Sequence, residues 1–152
     1  MERKNIIVYT DGSCIGNGAA NNKGGWAAIM QYGEKTKEIF GSALNTTNNR
    51  MELQAVIEAV KVLKVPCVIT IRTDSKYVIT ASQNAPMWEK CNWTIASGKA
   101  PKNLDLIQEL TRVGAKGRHK FQFQYVEGHA GDKLNERADK LARKAAKEAA
   151  NE

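Results

Sequence analysis

At Asn49 the hydrophobic pattern of this chain changes period, and that change limits the folds open to it. Leu53, Val56, Ile57, Val60 and Leu63 fall at helical spacing and make one apolar stripe, which Pro66 closes. Val68 to Thr73 then returns to strand character, and a strand reached through a helical crossover runs parallel to its sheet. Ahead of the helix lie three β-runs: Asn5 to Thr10, Trp26 to Tyr32 and Thr36 to Leu44. With a Gly- and Asn-rich turn region from Gly12 to Gly25 and a second turn at Gly33, they predict an antiparallel meander.

Beyond Asp74 a further helix is expected. The stretch from Ser82 to Lys102 holds Pro86, Gly98 and Pro101 with Trp88 and Trp93 among them, which predicts broken helix and loop. Leu104 to Val113 reads as helix, His119 to Val126 as strand, and Leu134 to the C-terminus as an Ala-, Lys- and Glu-rich helix. The order β-β-β-α-β-α-α-β-α predicts an α/β fold: one mixed sheet with helices on its faces. No repeat or linker interrupts it, so a single domain over residues 1–152 is expected.

Four acids stand where secondary structure is predicted to change. Asp11 ends an apolar β-run, Glu52 opens the amphipathic helix, Asp74 ends a second such run, Val68 to Thr73, and Asp139 lies early in the last helix. Each also has a local explanation. Asp11-Gly12 is a common turn pair, and Asn49-x-x-Glu52 resembles a capping arrangement. Asp74-Ser75 could cap the next helix, and Asp139 could pair with Lys140 or Arg143. The topology favours convergence. Asp11 and Asp74 fall at the carboxyl ends of strands placed side by side and parallel, where open sheets bind ligands. Glu52 sits one turn before Val56 at the edge of the buried stripe, and Asp139 lies beside the Ala and Leu face of its helix.

Carboxylates so gathered repel: two charges about 4 Å apart cost roughly 4 kcal/mol at an effective dielectric near 20. A divalent cation relieves this, and points to phosphate chemistry. The net charge of +7 fits the same reading, since a basic surface around an acidic centre suits a polyanionic partner. Cys14, Cys67 and Cys91 are odd in number and form no CxxC pair, which argues against a disulfide scaffold or a zinc site. Met1-Glu2-Arg3-Lys4 leads straight into a strand without an apolar leader, and no run is long enough to span a bilayer. The expectation is a cytoplasmic protein without a membrane partner.

Around these acids stand the blocks Tyr9-Thr10-Asp11-Gly12-Ser13, Thr47-Asn48-Asn49-Arg50-Met51-Glu52-Leu53 and Thr73-Asp74-Ser75. Gly128-His129-Ala130-Gly131 follows, and then Asn135-Glu136-Arg137-Ala138-Asp139. In this order they resemble the type 1 ribonuclease H family, the bacterial ribonuclease HI kind, over nearly the whole chain. The resemblance implies a ribonuclease H-like fold with a five-stranded mixed sheet. It implies endonucleolytic hydrolysis of the RNA strand of RNA/DNA hybrids, leaving 5′-phosphate and 3′-hydroxyl ends. A hybrid-binding domain of the same fold that does not cut is the alternative.

The same resemblance gives Asp11, Glu52, Asp74 and Asp139 the role of catalytic metal ligands for two Mg2+ ions, with Mn2+ as a substitute. It gives His129 a part in proton movement or product release. Asn17, Asn48, Asn49 and the backbone near Cys14 would line the minor groove, where amides can sense the 2′-hydroxyl. Thr47 and Asn103 would hold a phosphate of the DNA strand, Trp88 and Trp93 would supply the aromatic part of a basic handle, and Lys76 departs from the family pattern by replacing a frequent amide near the RNA strand. The chain departs from the family pattern in that handle, where Glu89-Lys90-Cys91 replaces a run of cations. It departs also at Asn45, where relatives often carry Arg, and in a longer turn from Gly18 to Gly25. A monomer acting on the hybrid is expected.

Overall fold

A β-branched run with inward residues on alternate positions builds the centre of this protein, a computed structural model that describes residues 3–16, 20–127 and 132–149. In chain order the elements are β1 (Lys4–Ile15), β2 (Lys23–Tyr32), β3 (Lys35–Leu44), α1 (Asn48–Val62), β4 (Cys67–Thr73), α2 (Lys76–Lys90), α3 (Leu104–Lys116), β5 (Lys120–Tyr125) and α4 (Lys133–Lys147). They form one mixed sheet in the order β3-β2-β1-β4-β5. β1, β2 and β3 pair antiparallel, while β4 runs parallel to β1 and β5 parallel to β4. The predicted α/β class and meander are therefore present.

Alternation along the strands divides the core in two. Ile6, Val8, Ala28, Met30, Ile69 and Ile71 face α1, α2 and α3, and meet Leu53, Val56 and Ile57 of the α1 stripe. Tyr9, Ala27 and Ile29 face the other way and are covered by Ala138, Leu141 and Ala142 of α4. Two glycines let these helices approach. A Cβ on Gly12 would lie 2.5 Å from the Glu52 nitrogen, and one on Gly25 would lie 2.2 Å from the Ala142 oxygen. Such contacts leave room for hydrogen alone.

Two expectations are corrected. Gly12 to Gly25 is not all turn: β1 continues through Gly12, Ser13 and Cys14 to Ile15, and Lys23, Gly24 and Gly25 begin β2. Their ladder pairs Gly12 with Trp26 and Cys14 with Gly24, so Asp11 lies inside the strand and not at its end. The stretch after Ser82 is broken later than expected: Pro86 does not interrupt α2, and the predicted loop begins only at Cys91. α2 runs through Pro86 to Lys90, because the buried Ala85 and core-packed Trp88 on either side hold the helix to its neighbours.

Candidate active site

β1 outruns β4. Their ladder ends at Tyr9 opposite Arg72, whereas β1 continues, paired to β2 alone through Asp11 and Ala27. The two parallel strands thus part just where Asp11 and Asp74 emerge. Thr73 is the last residue of β4, Val126 donates its amide to the Thr73 carbonyl at 2.9 Å, and Ser75 caps α2 by accepting from the Val78 amide. Asp74 is therefore not the cap of α2. Glu52 likewise does not cap α1. That role belongs to Thr47, whose hydroxyl accepts from the Arg50 amide at 3.1 Å.

Asp11, Glu52 and Asp74 each bring a carboxylate oxygen within 4.8 Å of the others. Asp11 and Glu52 are only 4% and 7% exposed, and Asp74 is half-buried. Burial, then the charge of Asp74 and contact with Asp139, pushes the Asp11 carboxyl up to about 8, although its contact with Glu52 acts the other way. Glu52 is held well above the usual carboxylate range, first by burial and then by Asp11. Its Oε2 is buried without a hydrogen-bond partner. A carboxylate oxygen left so, beside two more carboxylates, is a donor set suited to a hard divalent cation.

Asp139 comes from α4 and stands against Asp11, outside the three-residue group. Its carboxylate accepts from the Arg143 guanidinium at 3.2 Å, so the local pairing expected of it coexists with its place beside the cluster.

The expected substrate residues fall on several elements. Thr47, Asn48 and Asn49 are exposed where α1 begins, and the half-buried Cys14 turns its thiol to the Thr46 carbonyl, 3.8 Å away. Asn103 adopts a left-handed φ of 60°, donates to the Tyr77 hydroxyl at 2.8 Å and accepts from Arg50 at 3.4 Å. Arg50 also forms a bidentate pair with Asp105, which joins α1 to the start of α3. The Lys76 ammonium lies over the Tyr125 ring, 5.3 Å from its centre. Trp88 and Trp93 are half-buried against the core instead of standing free. Asn17 and His129 lie outside the described residues. Sequence reasoning missed the parts of Arg50 and Tyr77, although Arg50 lies within the block that carried the resemblance.

A mixed sheet of this order, with carboxylates gathered where two parallel strands separate, is the architecture of ribonuclease H-like hydrolases. The RNase H family pattern matches residues 3–147, and the chain belongs to that family. It is 49% identical over 140 residues to a ribonuclease H of Alcanivorax borkumensis, covering 91% of this chain and 89% of that one. Among solved structures it is similar to the crystal structure of LC9-RNase H1, a type 1 RNase H with the type 2 active-site motif. That match has a TM-score of 0.84 and 32% identity, and covers 97% of this chain and 74% of the other. The crystal structure of LC11-RNase H1 in complex with RNA/DNA hybrid shares the fold at a TM-score of 0.70 and 21% identity, over 93% and 96% of the two chains.

Proposed function

We propose that this protein is a metal-dependent endoribonuclease that cuts the RNA strand of RNA/DNA hybrids. The observation that carries the reading is the approach of Asp11, Glu52 and Asp74 around the unpartnered Glu52 Oε2. Family membership supports it. Asp11, Glu52, Asp74 and Asp139 would hold two Mg2+ ions, with Mn2+ able to replace them. When bound, such ions neutralise the cluster and supply Lewis acidity toward a phosphodiester.

The protein's own residues do the rest. The ladder of β1 with β2 fixes Asp11, and the seating of α1 on Gly12 fixes Glu52 against it. Attack of water on phosphorus, with rupture of the bond to the 3′-oxygen, leaves 5′-phosphate and 3′-hydroxyl ends. His129 would move protons or help release product. Asn17, Asn48, Asn49 and the backbone of Cys14 would read the minor groove through the 2′-hydroxyl. Thr47 and Asn103 would hold a DNA phosphate, and Lys76 would face the RNA strand. Trp88 and Trp93 would offer the strand only their uncovered edges.

Among the described residues no helix is long and apolar enough to cross a membrane. Three free cysteines suit a reducing cytoplasm, and a monomeric, single catalytic domain is the form we propose. Labelled duplex RNA, duplex DNA and hybrid are incubated with magnesium or manganese, with and without chelator. Cleavage of the RNA of the hybrid alone, stopped by chelator, is the expected result. A hybrid left uncut in both metals overturns it.

A further inference from the structure

Asn22 is an amide buried just before β2, only 7% exposed, and both ends of its side chain bond to one residue. Its Oδ1 accepts from the Thr46 amide at 2.7 Å, and its Nδ2 donates to the Thr46 carbonyl at 2.8 Å. The side chain thus stands in for a strand's peptide group. The β2–β3 ladder ends at Lys23 opposite Leu44, and Asn22 adds one more rung beyond it.

Neighbouring residues reinforce that rung. Asn45 donates its amide to the Asn22 carbonyl at 2.9 Å, and its own Oδ1 accepts from the Asn21 amide at 2.9 Å. Asn21 and Asn45 both hold left-handed backbone, with φ of 59° and 54°, a conformation that asparagine tolerates better than most residues. The Cys14 thiol donates to the same Thr46 carbonyl. Thr46 is itself buried, and a Cβ on Gly24 would lie 2.3 Å from its methyl group. The next residue, Thr47, caps α1, and the exposed Asn48 and Asn49 open that helix.

We propose that Asn22 is a positioning residue for substrate recognition: it clamps Thr46 so that Thr47, Asn48 and Asn49 are presented to the hybrid in a fixed geometry. This rests on the reading of the chain as a hybrid-cleaving ribonuclease H. It also accounts for Asn45. That residue closes the clamp from outside, where a longer cationic side chain would serve the phosphate instead. The metal-holding acids are fixed separately. Glu52 is seated by Gly12 and by the fully buried Leu53 beside it, so loosening the clamp alters how substrate binds and leaves the chemistry in place.

The experiment is steady-state cleavage of a labelled hybrid in magnesium by the full chain. It compares wild type with Asn22→Asp, which keeps the shape and removes the Nδ2 donor, and with Asn45→Gly, which keeps the backbone conformation at an exposed site. Asn22→Asp is expected to raise KM about tenfold with kcat changed by less than about twofold, and Asn45→Gly to raise KM roughly threefold. In a cycle with Asn49→Ala the KM effects are non-additive, Asn22→Asp costing under about threefold once Asn49 is gone.

An unchanged KM in both variants overturns the proposal, even if the melting temperature falls. So does a loss confined to kcat, or strict additivity with Asn49→Ala. If Asn22→Asp does not fold, Asn45→Gly and its cycle decide. Wild-type protein that binds hybrid in chelator yet never cuts it would refute the proposed function alone, and the same cycle read by hybrid affinity would still judge the clamp.

Discussion

Asp11 and Glu52 reach each other from opposite faces of one sheet. Asp11 follows Tyr9 on the side covered by α4, whereas Glu52 comes from α1, whose stripe packs on the other side. They meet because β4 stops pairing with β1 at Tyr9, which leaves a gap between the faces. Replacing Asp11 by Asn removes a charge without changing the packing. Asp11→Asn is expected to lower hybrid cleavage by at least about 100-fold while the fold is kept. Cleavage rate and the circular dichroism spectrum check it, and near-wild-type activity in magnesium would remove Asp11 from the ligand set.

The raised carboxyls also fix how the metal-free protein responds to pH. Asp11 sits at about 8 in the folded chain and near 3.8 as a model group, so the folded state binds the extra proton between those values. Glu52 shifts the same way. Their contribution to stability is therefore present at acid pH and is lost as pH rises through the folded value. Relative to Asp11→Asn, the wild-type protein in chelator should lose melting temperature between pH 5 and pH 8. Magnesium should return more of it at pH 8 than at pH 5. Parallel melting curves for the two proteins across that range would contradict this.

Gly25 predicts a steric outcome. Its absent side chain faces the Ala142 oxygen at 2.2 Å and the Ala146 nitrogen at 2.4 Å, both backbone atoms of α4. Gly25→Ala must push α4 away from β2, at a cost of about 1–3 kcal/mol. Asp139 rides on that helix, so activity should fall more than the loss of folded protein explains. Denaturant unfolding and the rate per folded molecule separate the two effects.

At the other end of the sheet, His119 accepts the Cys67 amide on Nδ1 at 3.1 Å, which only the unprotonated nitrogen can do. Burial, and then the charge of Arg3, lowers its pKa from 6.5. The unfolded chain therefore takes up a proton first as pH falls below that value. The stability His119 contributes is complete above pH 6.5 and is lost toward acid as the folded value is passed. His119→Gln, which can accept but not titrate, should flatten the acid limb of a stability-against-pH curve below pH 6.5. An unaltered acid limb would count against it.

The change of period at Asn49 was enough to read the crossover, and with it the parallel pairing of β1 and β4. It was also enough to bring Asp11, Glu52 and Asp74 together, because Asp11 and Asp74 follow the apolar runs of neighbouring parallel strands and Glu52 begins the buried stripe of α1. What escaped was set by packing at long range. Gly12, Gly24 and Gly25 look like turn residues, yet they are strand residues kept small by α1, Thr46 and α4. Pro86 looks like a break, yet the neighbours of α2 hold the helix through it. Asn22 acts on Thr46 across 24 positions, and no local pattern joins the two. Trp88 and Trp93 looked available for a nucleic-acid strand, and the core took most of both rings.

The unequal lengths of β1 and β4 also shape the motion of the site. From Ile7 to Tyr9, β1 is braced by a strand on each side; from Asp11 to Ile15 its one strand neighbour is β2, as a cantilever has one wall. Its amide protons should exchange with solvent far faster beyond that root than before it. The compliance this gives lies at the end proposed to meet substrate, while the braced root keeps the rest of the sheet still.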